Sequence, residues 1–194
     1  MYKKISVIIS FFVLALAIYI FIESFLSKRN NEVEQSKEMI QYIVNTAEHN
    51  QKEILYNPLL NQLCYFGKDS TKQVMLKEIC DTNKIFFYFS DKLCSPCIDN
   101  TIKVLKDCFP DYKNDSSIIF ISPDFPKRLS EDCYGKRLLT LKTGKLGLPM
   151  KEQYPLFFRL NENMEVVSAH IVVKVDFKRT LNYLRKQKMS RKRT

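Results

Sequence analysis

A closely spaced pair of cysteines is the feature of this sequence best suited to chemistry. Cys94-Ser95-Pro96-Cys97 directly follows a predicted buried strand and begins a predicted helix. At the first turn of a helix, unpaired backbone N–H groups and the positive end of the helix dipole stabilise a thiolate. Pro96 suits that turn because a missing N–H costs nothing there. The pattern therefore predicts that the Cys94 thiolate attacks a substrate disulfide and that the Cys97 thiol resolves the mixed disulfide.

Two other roles are common for a CxxC pair. Such a pair can be half of a zinc site, but no second CxxC, CxxH or HxxxH occurs in the chain. It can also be an inert pair buried in a core. A pair placed between a strand and a helix is typical of redox proteins, so we interpret Cys94 and Cys97 as a redox dithiol with no metal and no other cofactor.

The elements that must position the pair alternate between strand and helix. The aromatic-rich run Ile85–Phe89 predicts a central strand covered on both faces. The order strand, helix, strand, hairpin, helix predicts an α/β fold, a mixed sheet flanked by helices. After the first strand we expect a helix from about Cys94 to Phe109, a buried strand at Ile118–Ile121, an irregular stretch over 127–150 with one helix near Tyr134–Leu141, a hairpin of strands Pro155–Leu160 and Glu165–Val175, and a final helix capped by Asp176.

Composition excludes several classes of protein. Of the 194 residues, 45% are hydrophobic and 27% charged, which indicates a folded chain rather than a disordered one. The four glycines form neither G-x-G-x-x-G nor a P-loop, and the two histidines do not form H-E-x-x-H. The net charge of +10 has its densest run of basic residues at the C-terminus. Because no aromatic stacking pattern accompanies them, we expect a solvated helix face and no nucleic-acid partner.

The uncharged apolar run Ile5–Ile22 predicts one N-terminal transmembrane helix. At about 1.5 Å per residue the run approaches the ~30 Å hydrocarbon core, and no small-residue cleavage pattern follows it. We expect an uncleaved, single-pass anchor in the cell membrane, with Lys3 and Lys4 inside and the domain in the periplasm. The predicted organisation is an anchor at 1–28, an amphipathic helix and connecting segment at 29–69, and the α/β domain at 70–194.

From about Ser70 to its end, the sequence resembles the thioredoxin-like superfamily, in particular the membrane-anchored TlpA/ResA-like thiol–disulfide oxidoreductases. KIFFYFSDKLCSPC matches the family's strand and active-site helix start, and VMLKEI matches the short segment before it. QYPLFFRLNENMEVVSAHI matches the family's cis-proline strand, turn and following strand. The resemblance implies a thioredoxin-like fold and a membrane-tethered, extracytoplasmic thiol–disulfide oxidoreductase that acts on protein thiols and disulfides.

The same resemblance assigns two substrate-binding residues. Pro155 would be the cis-proline that faces the cysteine pair, and the backbone of Tyr154 would pair with the substrate. A membrane or extracytoplasmic redox partner would return the cysteine pair to its starting redox state. Taken alone, a Tyr-Pro step here indicates only a proline at the first position of a strand.

Two positions depart from the family pattern. Leu93 stands where the family usually has a tryptophan, and Tyr88 stands where thioredoxin carries the buried carboxylate that moves a proton. These departures motivate one alternative function, a thioredoxin-fold binding module that recognises a partner without turnover. A metal-binding or metallochaperone domain that uses Cys94 and Cys97 is another alternative.

Four further cysteines, Cys64, Cys80, Cys108 and Cys133, are scattered along the chain. An extracytoplasmic domain permits disulfides among them, and four cysteines allow three connectivities. Cys108 also suits the role of a small buried hydrophobe. His170 alternates with apolar neighbours on a predicted strand, so we expect it to face solvent or a helix and not to be a ligand.

Overall fold

The protein is described here from a computed structural model that covers residues 2–66, 72–90, 95–124, 132–149 and 154–191. Within these ranges, side chains are described from Leu16 onward, with positions 17, 95 and 132 left out. The chain divides into two compact units, Met1–Ile43 and Val44–Thr194.

The first unit is helical. Helix α1 runs without a break over Tyr2–Ile54, so the amphipathic helix expected within 29–69 is the last part of a longer helix. The predicted anchor Ile5–Ile22 falls mostly outside the residues whose side chains are described. In the described part of the chain, no helix combines the length and apolar character needed to cross a membrane.

The second unit is built on a mixed sheet. In the described residues the strands are β1 (Leu63–Phe66), β2 (Gln73–Met75), β3 (Ile85–Tyr88), β4 (Ile118–Ser122), β5 (Asp132–Cys133), β6 (Lys136–Leu141), β7 (Leu156–Leu160) and β8 (Val166–Ile171), and the further helices are α2 (Leu76–Ile79), α3 (Ser95–Cys108) and α4 (Phe177–Arg191). The strands lie in the order β2-β1-β6-β4-β3-β7-β8, and β5 pairs with β6. The predicted α/β class with a mixed, helix-flanked sheet is thereby confirmed.

Strand β3 lies at the centre and is buried at every position, as its continuous aromatic run predicts. It pairs in parallel with β4 and antiparallel with β7. The Phe87 ring stacks on Phe157 at 4.5 Å between centroids and meets Phe120 edge to face at 5.4 Å. On this face the strands pack against α3 through residues such as Leu105 and against α4 through Leu184. The fixed position of β3 sets where α3 begins.

The expected helix near Tyr134–Leu141 is wrong, because these residues form the turn after β5 and then strand β6. Tyr134 and Gly135 have φ values of 53° and 78°, the pair of positive angles typical of a tight hairpin turn. Strand β6 then pairs with both β1 and β4, and its last four residues are buried. A short apolar run does not by itself distinguish a buried strand from a helix.

Two local predictions at the C-terminal end are confirmed. Strands β7 and β8 form the expected antiparallel hairpin, and the Asn161 side chain accepts the backbone N–H groups of Asn163 and Glu165 in its turn. The Asp176 carboxylate accepts the backbone N–H of Arg179 at 3.2 Å, which caps α4 as expected.

Candidate functional site

Cys97 lies in the first turn of α3, which begins at Ser95. Its side chain is half-buried, between an exposed Pro96 and a buried Ile98. The Cys97 sulfur is disulfide-bonded. Cys94, the predicted nucleophile, lies outside the described residues. The structure therefore places one of the two predicted catalytic cysteines at a helix N-terminus and in an oxidised state.

Thr101 fixes the backbone around Cys97. It is fully buried one turn later on α3, and its hydroxyl donates to the Cys97 carbonyl oxygen at 2.7 Å. This i to i−4 bond satisfies the hydroxyl inside the core. Nothing in the sequence distinguishes Thr101 from an ordinary helical threonine, so this contact is not predicted.

The described part of strand β7 begins beside the C-terminal end of β3. Leu156, its first residue, pairs with Tyr88, the last residue of β3. Tyr154 and Pro155, which precede Leu156, therefore lie at the end of the sheet where β3 ends. Pro155 is buried and its carbonyl oxygen accepts the Val172 N–H at 2.8 Å, while Tyr154 is half-buried.

The prediction of a cis bond before Pro155 is wrong, because no peptide bond among the described residues is cis. The trans isomer is the more stable form of an X-Pro bond by about 0.5–1 kcal/mol. In the trans form Pro155 enters β7 as an ordinary strand-starting residue, with no ladder N–H to donate. Pro155 thus lies at the start of a strand, as the sequence pattern predicts, but its peptide bond is not the cis isomer that the resemblance implies.

Tyr88 occupies the position that the resemblance gives to a buried carboxylate, and it is fully buried at the end of β3. Two residues after Cys97 on α3, Asp99 accepts a hydrogen bond at 2.5 Å from the hydroxyl of Tyr134. The Tyr134 carbonyl in turn accepts the Tyr112 hydroxyl at 2.8 Å. These hydrogen bonds connect the turn between β5 and β6 to the first half of α3. No sequence pattern predicts this connection.

The other four cysteines, Cys64, Cys80, Cys108 and Cys133, are in the thiol form. Burial is the main cause that raises the thiol pKa of Cys64 to about 12 and of Cys80 to about 11. Burial also raises the pKa of Cys108, against the opposing effect of Arg185 and Lys188. Thiols with such pKa values are almost entirely protonated near neutral pH and react slowly.

His170 faces helix α4, one of the two environments expected for it. Its Nε2 is 2.9 Å from the Thr180 hydroxyl, and its ring stacks on Tyr183 at 5.0 Å. Burial, with a further contribution from the positive charge of Arg179, lowers the His170 pKa to about 4 although Asp176 acts in the opposite direction. In the part of the chain that is described, no group of three or more His, Cys, Asp or Glu side chains is arranged to hold a metal ion.

Around the cysteine site the chain runs β3–α3–β4, then the β7–β8 hairpin, then α4, and these strands lie in the order β4-β3-β7-β8. The fold is thioredoxin-like. This thioredoxin-like core is extended at the β4 side by β6, β1 and β2, with β5 paired to β6.

Comparisons with known proteins give the following similarities. No protein-family model matches the chain, and neither does any curated protein sequence. Among solved structures, an uncharacterized thioredoxin-like protein from Porphyromonas gingivalis matches over 69% of this chain and 93% of its own, with 14% identity and a TM-score of 0.45. A thioredoxin-like protein from Bacteroides caccae matches over 77% of this chain and 55% of its own, with 18% identity and a TM-score of 0.44. Copper-bound ScoI from Arabidopsis thaliana matches over 69% of this chain and 99% of its own, with 14% identity and a TM-score of 0.41.

Proposed function

We propose that the protein is a membrane-tethered, extracytoplasmic thiol–disulfide oxidoreductase of the TlpA/ResA-like type, with Cys94 as nucleophile and Cys97 as resolving thiol. The observation that carries this proposal is the oxidised state of Cys97 at the start of α3. We propose Cys94 as its partner, because the other four cysteines are in the thiol form and Cys94 precedes Cys97 by three residues. A disulfide within the CxxC pair is the expected oxidised state of a redox dithiol.

The proposed reaction transfers two electrons from the dithiol to a substrate disulfide. The Cys94 thiolate attacks one substrate sulfur, which forms a mixed disulfide and releases the first substrate thiol. The Cys97 thiolate then attacks the Cys94 sulfur, releases the second substrate thiol and closes the Cys94–Cys97 disulfide. A membrane or extracytoplasmic redox partner restores the dithiol by the reverse steps. The direction of net flow follows from the reduction potential of the pair against that of its partners.

Helix α3 supports this division of roles. Cys94 precedes the first helical residue, where the N-terminal N–H groups and the helix dipole favour a thiolate. Helix α3 has no acidic residue in its first turn to oppose that effect. The half-buried Cys97 lies one step further into the helix, which suits a thiol that reacts with its neighbour rather than with an incoming substrate.

We propose that substrate binds at the end of the sheet beside Tyr154 and Pro155. Leu156 pairs with Tyr88, so the two residues before it lie next to the end of β3, the strand that precedes α3. An extended substrate segment that pairs with the backbone of Tyr154 would lie beside the cysteine pair. Pairing with backbone atoms recognises the chain rather than one sequence, as expected for an enzyme that acts on protein disulfides.

In the reduced protein we expect Cys94 to be alkylated with an apparent pKa well below the ~8.5 of a free cysteine. The test is a short pulse of N-ethylmaleimide at a series of pH values, applied to the full-length protein in detergent after stoichiometric reduction. Mass spectrometry of the tryptic peptide 93–103, which contains both cysteines, then locates the label. Cys64 and Cys80 serve as internal controls, because their raised pKa values predict slow labelling.

The result that supports the proposal is rapid labelling of Cys94 at acidic pH, with Cys97 labelled later. Equal labelling of both thiols with unshifted pKa values would contradict the oxidoreductase and favour the binding module. A metal ion retained by the reduced pair in stoichiometric amount would contradict it as well, and would favour the metal-binding alternative.

For the tether, we propose that the uncharged run Ile5–Ile22 spans the membrane and leaves residues 29–194 outside the cytoplasm. Protease added to intact spheroplasts should then digest the domain. An antibody against the C-terminal part of the domain detects the digestion. A cytoplasmic marker protein should stay intact in the same sample. Protection of the domain until the membrane is disrupted would overturn the proposed topology.

A further inference from the structure

Cys64 is a buried thiol on strand β1, near the edge of the sheet. In the sheet, Cys64 pairs with Val74 of β2 on one side and with Leu141 of β6 on the other. The Cys64 sulfur is 3.6 Å from the carbonyl oxygen of Gln62, which is its hydrogen-bond acceptor. The side chain has no exposed surface.

Cys80 follows the short helix α2 and is half-buried. Its backbone N–H donates to the carbonyl oxygen of Leu76 at 3.1 Å, so Cys80 lies one helical turn after Leu76. The Leu76 N–H donates at 2.9 Å to the carbonyl of Gln62, the same oxygen that accepts the Cys64 thiol. One carbonyl group therefore connects the cysteine of β1 to the beginning of α2, and α2 leads directly to the second cysteine.

The two thiols are also close enough to interact electrostatically. A thiolate at Cys80 raises the pKa of the Cys64 thiol, a second cause after burial. The Lys84 ammonium acts on Cys80 in the opposite direction and favours its thiolate. Of the two cysteines, Cys80 is therefore both the more accessible and the easier to deprotonate.

We propose that Cys64 and Cys80 form a second dithiol, which closes to a structural disulfide between β1 and the end of α2. This bond would enclose β2, the strand at the edge of the sheet, which pairs only with β1 among the described strands. A short edge strand with one neighbour has few contacts of its own, so a covalent closure around it stabilises the part of the sheet that needs it most. The proposal does not depend on the reaction of Cys94 and Cys97.

The reaction begins at Cys80 and needs a disulfide as oxidant, either of low molecular weight or on another protein in an oxidising compartment. The Cys80 thiolate attacks the oxidant, forms a mixed disulfide and releases one thiol. The Cys64 thiolate then attacks the Cys80 sulfur and releases the second thiol. Two protons and two electrons leave the Cys64–Cys80 pair, and the oxidant disulfide becomes two thiols.

The test is to incubate the full-length protein in detergent with a buffer of reduced and oxidised glutathione, quench it with acid and alkylate the remaining thiols. Trypsin places Cys64 in peptide 53–68, Cys80 in peptide 78–84 and the Cys94/Cys97 pair in peptide 93–103. We expect a linked species of 53–68 with 78–84 that disappears on reduction. It should be absent from a Cys80→Ser variant and unchanged in a Cys108→Ala variant, which loses a different buried thiol.

Alkylated Cys64 and Cys80 under conditions that oxidise peptide 93–103 would overturn the proposal. Glutathione left on Cys80 without linkage, or Cys64 linked to another cysteine, would overturn it as well. Loss of reactivity in peptide 93–103 would count against the proposed function and leave this result unaffected. Failure of the Cys64–Cys80 proposal and failure of the proposed function are thus detected in different peptides.

A second measurement tests whether the bond suits the native structure. A disulfide between Cys64 and Cys80 closes a loop in the chain and so constrains the unfolded state. The unfolding temperature of the oxidised parent should therefore exceed that of the Cys80→Ser variant by on the order of 5–10 °C. The rise should vanish when dithiothreitol is added. A midpoint that stays level or falls on oxidation would show that the native backbone does not accommodate the bond, and would overturn the assignment.

Discussion

Replacing Cys94 with serine should lower the rate of disulfide exchange to that of the uncatalysed reaction. The serine hydroxyl is not ionised near neutral pH, so the attack that forms the mixed disulfide has no nucleophile. Cys97 cannot substitute for it, because its side chain is half-buried inside the first turn of α3. The assay is the reduction of insulin by dithiothreitol in the presence of full-length protein in detergent, followed by turbidity.

The matched control for this variant is Cys108→Ala, which removes a cysteine from the other end of the same helix. Cys108 is a buried thiol with a raised pKa, so its loss should leave the exchange rate near that of the parent. Cys97→Ser should behave differently from both, since it forms mixed disulfides and cannot resolve them. Exchange at the parent rate in Cys94→Ser, or an absence of trapped partners in Cys97→Ser, would contradict the assigned roles.

The elements next to the cysteine pair could be predicted from the sequence because each carries a strong local signal. The aromatic run of β3, the spacing of Ile98, Ile102 and Leu105 on α3, and the cap at Asp176 depend on residues close together in the chain. The expected helix from about Cys94 to Phe109 differs from the observed Ser95–Cys108 by one residue at each end. Local patterns of this strength fix an element without reference to the rest of the fold.

Local sequence patterns do not predict strands β1, β5 and β6. Strand β6 is inserted between β4 and β1, so its neighbours come from distant parts of the sequence. Its buried residues follow the turn at Tyr134 and Gly135, and nothing local to them separates a strand from a helix. Pairing over such distances is decided by tertiary contacts, which override weak propensities.

The site itself could be predicted in part. The cysteine positions and the strand-to-helix junction follow from the sequence, but the fastening of α3 does not. Thr101 and the Tyr134–Asp99 bond act on the helix through side chains that composition and periodicity do not distinguish from ordinary ones. The isomer at Pro155 was inferred from a family resemblance, and in the described residues the bond is trans.

A chain of polar contacts between the β7–β8 hairpin and α4 was also missed. Arg159 donates to the Thr82 carbonyl at 2.5 Å and to the Gln187 amide oxygen at 3.1 Å. Gln187 donates to Ser168 at 3.1 Å, and the Ser168 hydroxyl donates to that of Tyr183 at 3.0 Å. Each buried group thus has a partner, so the chain fixes α4 on the sheet at little desolvation cost. At its end, Tyr183 stacks on the buried His170.

His170 should make the folded domain sensitive to mildly acidic pH. Its pKa is about 4 in the folded protein against 6.5 for the unperturbed group, because burial disfavours the imidazolium. Above pH 6.5 the ring is neutral in both states and does not affect the pH dependence. Between pH 6.5 and 4 the unfolded chain binds a proton that the folded chain does not, so the free energy of unfolding falls as the pH falls. At about 1.36 kcal/mol per pKa unit, the full loss is roughly 3 kcal/mol.

The measurement compares the parent with His170→Gln by urea unfolding at pH 7.5 and pH 4, followed by near-ultraviolet circular dichroism. Tyrosine dominates that signal because the chain has no tryptophan. The variant loses the stack on Tyr183, so it should be less stable than the parent at pH 7.5. Because glutamine does not titrate, that difference should shrink or reverse at pH 4 by roughly 3 kcal/mol. The control is His49→Gln, which removes a histidine whose side chain is 73% exposed on α1 and 3.3 Å from Glu53. A parent–His170→Gln difference that is the same at pH 7.5 and pH 4 would show that His170 binds its proton equally in the folded and unfolded states.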